Sequence, residues 1–139
     1  MLLSPKRRKH RKSFVVVLKG KAKKWFNVNF GDYGLKAIQS GYVSNRQLEA
    51  ARKVIIRHVR KVGKLWMRVF PDSPITKKWL EMPMGSWKGD VDIYKAKVKR
   101  GKVIFEASWL DEVTMAYVLK KASAKLPIKT RMVKKWEIH

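Results

Sequence analysis

The apolar pattern changes period several times along this chain, and each change marks an expected element. Phe14-Val15-Val16-Val17-Leu18 reads as a short buried strand, rich in β-branched residues. Trp25 to Phe30 reads as a second strand, with Trp25 in the core, and Gly31-Asp32-Tyr33-Gly34 as a turn. Ser44-Asn45-Arg46-Gln47 is a capping-box signature, so a helix is expected from about Asn45 to Val62, stopped by Gly63. Its apolar stripe is Leu48, Ala51, Ile55, Val59 and Val62, at spacings of three and four. Lys64 to Phe70 predicts a strand with Trp66 buried, ended by Pro71-Asp72-Ser73-Pro74. Val91 to Lys99 alternates cleanly, Tyr94, Ala96 and Val98 inward against Lys95, Lys97 and Lys99 outward. After the tight turn Arg100-Gly101, Lys102 to Ala107 is expected to return as its hairpin partner.

A second helix is expected from about Leu110 to Lys125, capped by Ser108. Asp111 and Glu112 lie at its positive end, and Lys120, Lys121 and Lys125 at its negative end. Val113, Tyr117 and Leu119 to Ala124 supply its buried side, and Pro127 stops it. Ile128 to Trp136 reads as a last strand. Several strands, two helices and no internal repeat or interdomain linker make this an α+β chain.

Charge changes the picture. The 139 residues hold 34 Lys plus Arg against 10 Asp plus Glu, a net charge of +24. A small domain so charged repels itself unless a polyanion neutralises it, which points to nucleic acid as the resident partner. Residues 4–12 are an almost unbroken basic run, expected to be an extended arm (1–12) before a domain at 13–139. The first helix carries Arg46, Lys53 and Arg57 with little acidic pairing, which favours a phosphate-facing surface over a merely solvated one. No apolar run approaches the roughly 18–20 residues that span a membrane, so no membrane partner is expected.

Catalytic chemistry finds little support. There is no cysteine, and the three histidines (His10, His58 and His139) lack metal-ligand spacing, so neither metal nor cofactor is expected. Asp90 and Asp92 share a strand face but lack the further acids a two-metal nuclease needs. What remains is basic residues interleaved with aromatics. Trp87 stands out in the irregular stretch at about 77–90, where it either stacks on a base or folds back on the protein.

Taken in order, several segments match one known family. They are Pro5-Lys6-Arg7, Phe30-Gly31, Gly34-Leu35-Lys36-Ala37, Arg46-Gln47-Leu48-Glu49-Ala50-Ala51-Arg52 and Gly63-Lys64-Leu65-Trp66-Met67-Arg68-Val69-Phe70-Pro71-Asp72. Pro74-Ile75-Thr76, Met84-Gly85, Lys88-Gly89, Gly101-Lys102-Val103 and Ala124-Lys125-Leu126-Pro127-Ile128-Lys129-Thr130 follow. From the first residue to about Val133 the chain resembles the bacterial-type large-subunit ribosomal protein of the L-sixteen family, shared with the L-ten type. The resemblance implies a compact α+β domain of antiparallel strands and two helices. It implies a structural, non-enzymatic role on large-subunit ribosomal RNA, near the aminoacyl-tRNA and the peptidyl transferase centre, among neighbouring ribosomal proteins and without a homo-oligomer. On that footing Lys6, Arg7, Arg8, Arg11, Lys12, Arg46, Lys53 and Arg57 are the expected RNA contacts. Met84, Gly85, Ser86, Trp87, Lys88 and Gly89 are the expected tRNA-proximal loop.

Two departures from the family pattern stand out. The usual Arg-Met-Gly-Lys-Gly-Lys-Gly is here Pro83-Met84-Gly85-Ser86-Trp87-Lys88-Gly89. Where the family has a Gly- and Arg-rich run at 13–26, this chain has Phe14 to Leu18 and Trp25-Phe26. Such divergence, with Lys well ahead of Arg, points to a mitochondrial ribosome over a plastid or a bacterial cytoplasm. The competing functional readings are a free nucleic-acid chaperone or single-strand binder and, more remotely, a small RNA-modifying enzyme or nuclease.

Overall fold

A computed structural model describes residues 3–78, 85 and 88–137. Among these residues the order is β1 (Tyr33–Ala37), β2 (Gly41–Ser44), α1 (Asn45–Val59), β3 (Lys64–Met67), β4 (Ser73–Lys77), β5 (Asp90–Val98), β6 (Val103–Ser108), α2 (Glu112–Ser123) and β7 (Thr130–Lys134). The strands form two antiparallel sheets, of order β3-β6-β1-β7 and β2-β5-β4. The α+β class expected from the sequence is the class observed.

The helices form where the capping and periodicity place them, with altered ends. Ser44 caps α1 as expected: its hydroxyl accepts the Gln47 N–H, and the Gln47 side chain accepts the Ser44 N–H in return. Leu48, Ala51, Ile55 and Val59 are buried, but Val62 is exposed because α1 stops at Val59, with Arg60 at its C-cap. The helix tightens early because Gly63 must come against the Ser108 backbone to begin β3, whose first residue Lys64 pairs with Ser108. In α2 the cap is Asp111, which accepts from the Thr114 N–H at 3.1 Å; Ser108 is instead buried at the end of β6. The buried stripe of α2 is therefore Met115, Val118, Leu119 and Ala122, while Val113 and Tyr117 face outward.

One core joins these faces. Helix residues Leu48, Ile55, Met115 and Leu119 pack with Leu35, Phe105 and Ala107 of the first sheet and with Val43, Ala96 and Val98 of the second. Truncating a buried side chain such as Phe105 to alanine would cost about 3–5 kcal/mol.

Several expectations fail, mostly because partner choice is a long-range matter. Phe14 to Val17 are exposed and form no strand, Phe14 being 88% exposed. They are tied to the domain in part through Val16, whose N–H donates to the Tyr42 hydroxyl of edge strand β2 at 3.0 Å. Trp25 to Phe30 form no strand either, because Trp25 adopts a left-handed backbone (φ 64°) and breaks the extension. Trp25 is exposed rather than buried, whereas Trp66 is partly buried as part of β3.

Further, β5 and β6 are not hairpin partners. Gly101, at φ 96°, donates its N–H to the Ala37 carbonyl, and Ala37 donates to the Lys102 carbonyl. The chain is thereby handed from one sheet to the other. Finally, Ser73 and Pro74, read as part of the break that ends a strand, open β4 on β5, and Tyr33–Ala37, read partly as a turn, is the central strand β1.

Candidate RNA-binding surface

The helices cover one face of the β3-β6-β1-β7 sheet. The other face is covered by residues 25–31, and a single carboxylate holds them there. Glu106 of β6 is fully buried and accepts backbone N–H groups from Asn29, Phe30 and Gly31, the last at 2.9 Å. The same carboxylate is ion-paired with Arg68, whose guanidinium also donates to the Asn27 carbonyl at 3.0 Å. Val28 packs beside it on Val103 and Val133. Three of the segment's donors, which a strand would otherwise have paired, thus find partners.

Above that ion pair stands a row of aromatic rings. The Arg68 guanidinium carbon lies 4.9 Å from the Trp25 ring centroid and 5.1 Å from that of Phe30. Phe30 in turn stacks on Trp66, with centroids 6.3 Å apart and planes 23° apart. At the far end of β6, Trp109 also holds a left-handed backbone (φ 73°), with the Lys64 ammonium 5.9 Å from its ring. Left-handed backbone at a bulky residue costs on the order of 1–2 kcal/mol. Reasoning from sequence missed this row because it judged Trp25 by strand pattern; the available signal was a Trp-Phe pair interrupting a basic loop.

The expected RNA-contacting residues fall on two surfaces. Arg46, Lys53 and Arg57 are all exposed on α1, and their spacings of seven and four put them on one stripe opposite the core. The N-terminal segment begins against the same helix: the Asn45 side chain donates to the Leu3 carbonyl at 3.1 Å. Within it Lys6, Arg7 and Arg11 are exposed, while Arg8 and Lys12 are half-buried.

Residues 12 and 13 meet the other expected site. Lys12 donates to the Lys88 carbonyl at 2.9 Å, and Lys88 donates to the Ser13 carbonyl at 2.6 Å. Lys12 also lies 3.8 Å from the Asp90 carboxylate, and the Lys88 ammonium is 5.2 Å from the Phe14 ring centroid. Two regions some 75 residues apart in sequence are thus clasped together. Of the loop itself, Gly85 is exposed and Gly89 approaches the Lys77 carbonyl so closely that a Cβ would lie 2.6 Å from it. Met84, Ser86 and Trp87 lie outside the described residues.

Electrostatics carry the same message. Lys36 and Arg131 stand directly opposite each other on β1 and β7, and burial followed by the Arg131 charge pushes the Lys36 pKa down. Like charges paired across strands destabilise a sheet unless an anion lies against them. On α1 the opposite holds: the Arg52 guanidinium, 2.6 Å from the Glu49 carboxylate, brings that carboxyl down to about 2. Among the described residues no group of three or more His, Cys, Asp or Glu is placed to hold a metal ion.

The family model for ribosomal protein L16p/L10e matches residues 5–133. The chain belongs to that family. Its relatives are near full-length matches. It is 48% identical over 136 residues to the large ribosomal subunit protein uL16 of a Sulfurihydrogenibium species, covering 98% of this chain and 99% of the relative. The protein of the same name from Corynebacterium urealyticum is 47% identical over 134 residues, 96% of this chain and 97% of its own. That of Erythrobacter litoralis is 45% identical over 132 residues, 95% and 92%. In this L16p/L10e chain the matched span runs from Pro5 through both helices to all but the last residue of β7.

Proposed function

We propose that this chain is a structural constituent of the large ribosomal subunit. It binds large-subunit ribosomal RNA and lies near the aminoacyl-tRNA end at the peptidyl transferase centre, among neighbouring ribosomal proteins. The observation that carries the reading is the family match over residues 5–133, with relatives that bear the name of a large-subunit protein along almost their whole length. The charge of +24 supports it, since ribosomal RNA is the polyanion that would relieve the self-repulsion.

In this reading residues 1–12 are an RNA-bound arm on a domain at 13–139. Lys6, Arg7, Arg8, Arg11 and Lys12 neutralise phosphates along the arm, and Arg46, Lys53 and Arg57 do so along α1. A-form RNA offers mainly shape and phosphate to such a lysine-rich surface. The loop at about 77–90, with Met84, Gly85, Ser86, Trp87, Lys88 and Gly89, approaches the tRNA. The clasp between Lys12 and Lys88 supports the arm and the loop working as one surface. The protein catalyses nothing; the reaction belongs to RNA. The preponderance of Lys over Arg supports a mitochondrial ribosome, although the relatives named above are bacterial.

The test is sedimentation of a tagged chain through a sucrose gradient after a high-salt wash. Co-migration with large subunits is the expected result. Release as free protein would support the nucleic-acid chaperone instead, and organelle fractionation before the gradient separates the compartments.

A further inference from the structure

The outer face of the first sheet carries aromatic surface that the core does not use. Trp25 is 53% exposed, yet it is not loosely held. Its carbonyl accepts the N–H of buried Val103 at 2.9 Å, and three residues before it Ala22 donates to the Arg100 carbonyl at 2.9 Å. With its backbone pinned in a left-handed conformation, the indole rests on the Arg68 guanidinium. Arg68 is itself immobilised by the buried Glu106 carboxylate. One ring face is thus occupied, and the exposure of the residue leaves the opposite face to solvent.

A strained, anchored and half-exposed tryptophan is poorly explained by packing, because it buries little. It is well explained as a surface on which something flat is to lie. The surroundings say what. Lys21, Lys23 and Lys24 are exposed beside it in sequence, and exposed Lys64 and partly buried Trp66 share one face of β3. Cations interleaved with aromatic rings are the arrangement that tracks a single-stranded backbone while stacking its bases. An acidic protein segment would satisfy the lysines but would leave the open indole face without a planar partner.

We infer that the open face of Trp25, backed by Arg68, is a stacking platform for an unpaired nucleobase of RNA, with Lys23 and Lys24 against the adjoining phosphates. The inference rests on the RNA-binding reading above and adds the class of ligand: a base outside a duplex, not the duplex itself.

The experiment measures binding of the full chain to a single-stranded RNA of roughly 10 nucleotides and to a duplex of the same length, across a salt series. Trp25→Ala is expected to weaken single-strand binding by about 5- to 100-fold, leave its salt slope unchanged and leave duplex binding within about twofold. Trp25→Phe should recover most of the loss. Trp25→Gly relieves the left-handed backbone and so guards against misfolding; it should show the same selective loss as Trp25→Ala. Single-strand affinity within about twofold of the native chain in both the Ala and Gly variants would overturn the platform. So would an equal loss on duplex RNA, which would mean charge or folding rather than stacking. Large-subunit co-sedimentation is read separately: a chain that stays on the subunit yet shows no single-strand effect of Trp25 loses the platform and keeps the ribosomal role.

Discussion

Arg68 and Glu106, 38 residues apart in sequence, form an ion pair beneath the aromatic row, with side chains 3% and 0% exposed. The carboxylate also takes the N–H groups of Asn29, Phe30 and Gly31, so one side chain holds both the cation and the covering segment. Removing it strands a buried guanidinium and several amide donors at once. Glu106→Ala should therefore destabilise the chain by about 3–5 kcal/mol. Urea unfolding of the two proteins measures this; a loss below about 1 kcal/mol would show that solvent or another group satisfies Arg68.

The approach of that segment to β6 leaves no room for a side chain at Gly31. A Cβ there would lie 2.7 Å from the Ala107 carbonyl oxygen and 2.9 Å from its nitrogen, both backbone atoms that cannot swing away. Gly31→Ala is expected to cost about 1–3 kcal/mol through forced backbone movement. At Gly85, where nothing lies within 4 Å, the same substitution should be nearly silent. Equal midpoints for the two variants in thermal unfolding would contradict the close approach.

The Glu49–Arg52 pair on α1 makes stability depend on acid pH. The Glu49 carboxyl stands at about 2 in the folded chain against an ordinary 4.5. A lowered carboxylate pKa stabilises the fold fully above the unfolded value and loses that contribution as pH falls from 4.5 through about 2. Glu49→Gln should flatten the dependence of unfolding free energy on pH in this window, by up to about 1.4 kcal/mol per pH unit. Unfolding curves at successive pH values decide it, since parallel acid limbs for both proteins would mean that Glu49 takes up no extra proton on unfolding there.

Phosphate contact by α1 predicts a salt signature. Replacing Arg46, Lys53 and Arg57 together by Gln should lower the log–log salt slope of ribosomal RNA binding by about 2–3 units, with loss spread over all RNA sequences. None of the three lies in the core, so the unfolding midpoint should hold. An unchanged slope would remove this helix from the RNA-facing surface.

What could be read directly from the residues was whatever short-range physics controls. The Ser44–Gln47 capping box, the Leu48/Ala51/Ile55/Val59 stripe and the alternation ending in Ala96 and Val98 all concern neighbours a few positions apart, and all appear in the fold. The charge of +24 and the ordered family segments likewise needed no coordinates to indicate an RNA partner and a ribosomal family. Only tertiary structure decided the rest. Phe14 to Val17 have strand-like composition, but an extended segment becomes a strand only where a free edge pairs with it. The turn at Gly101 looked like a hairpin until the Ala37 backbone, more than 60 residues earlier, took its hydrogen bond and divided β5 from β6. Trp25 read as core because the segment from Trp25 to Phe30 reads as a strand. It is half-exposed because Arg68 and Glu106, brought beneath it from β3 and β6, hold the segment on the outer face of the sheet.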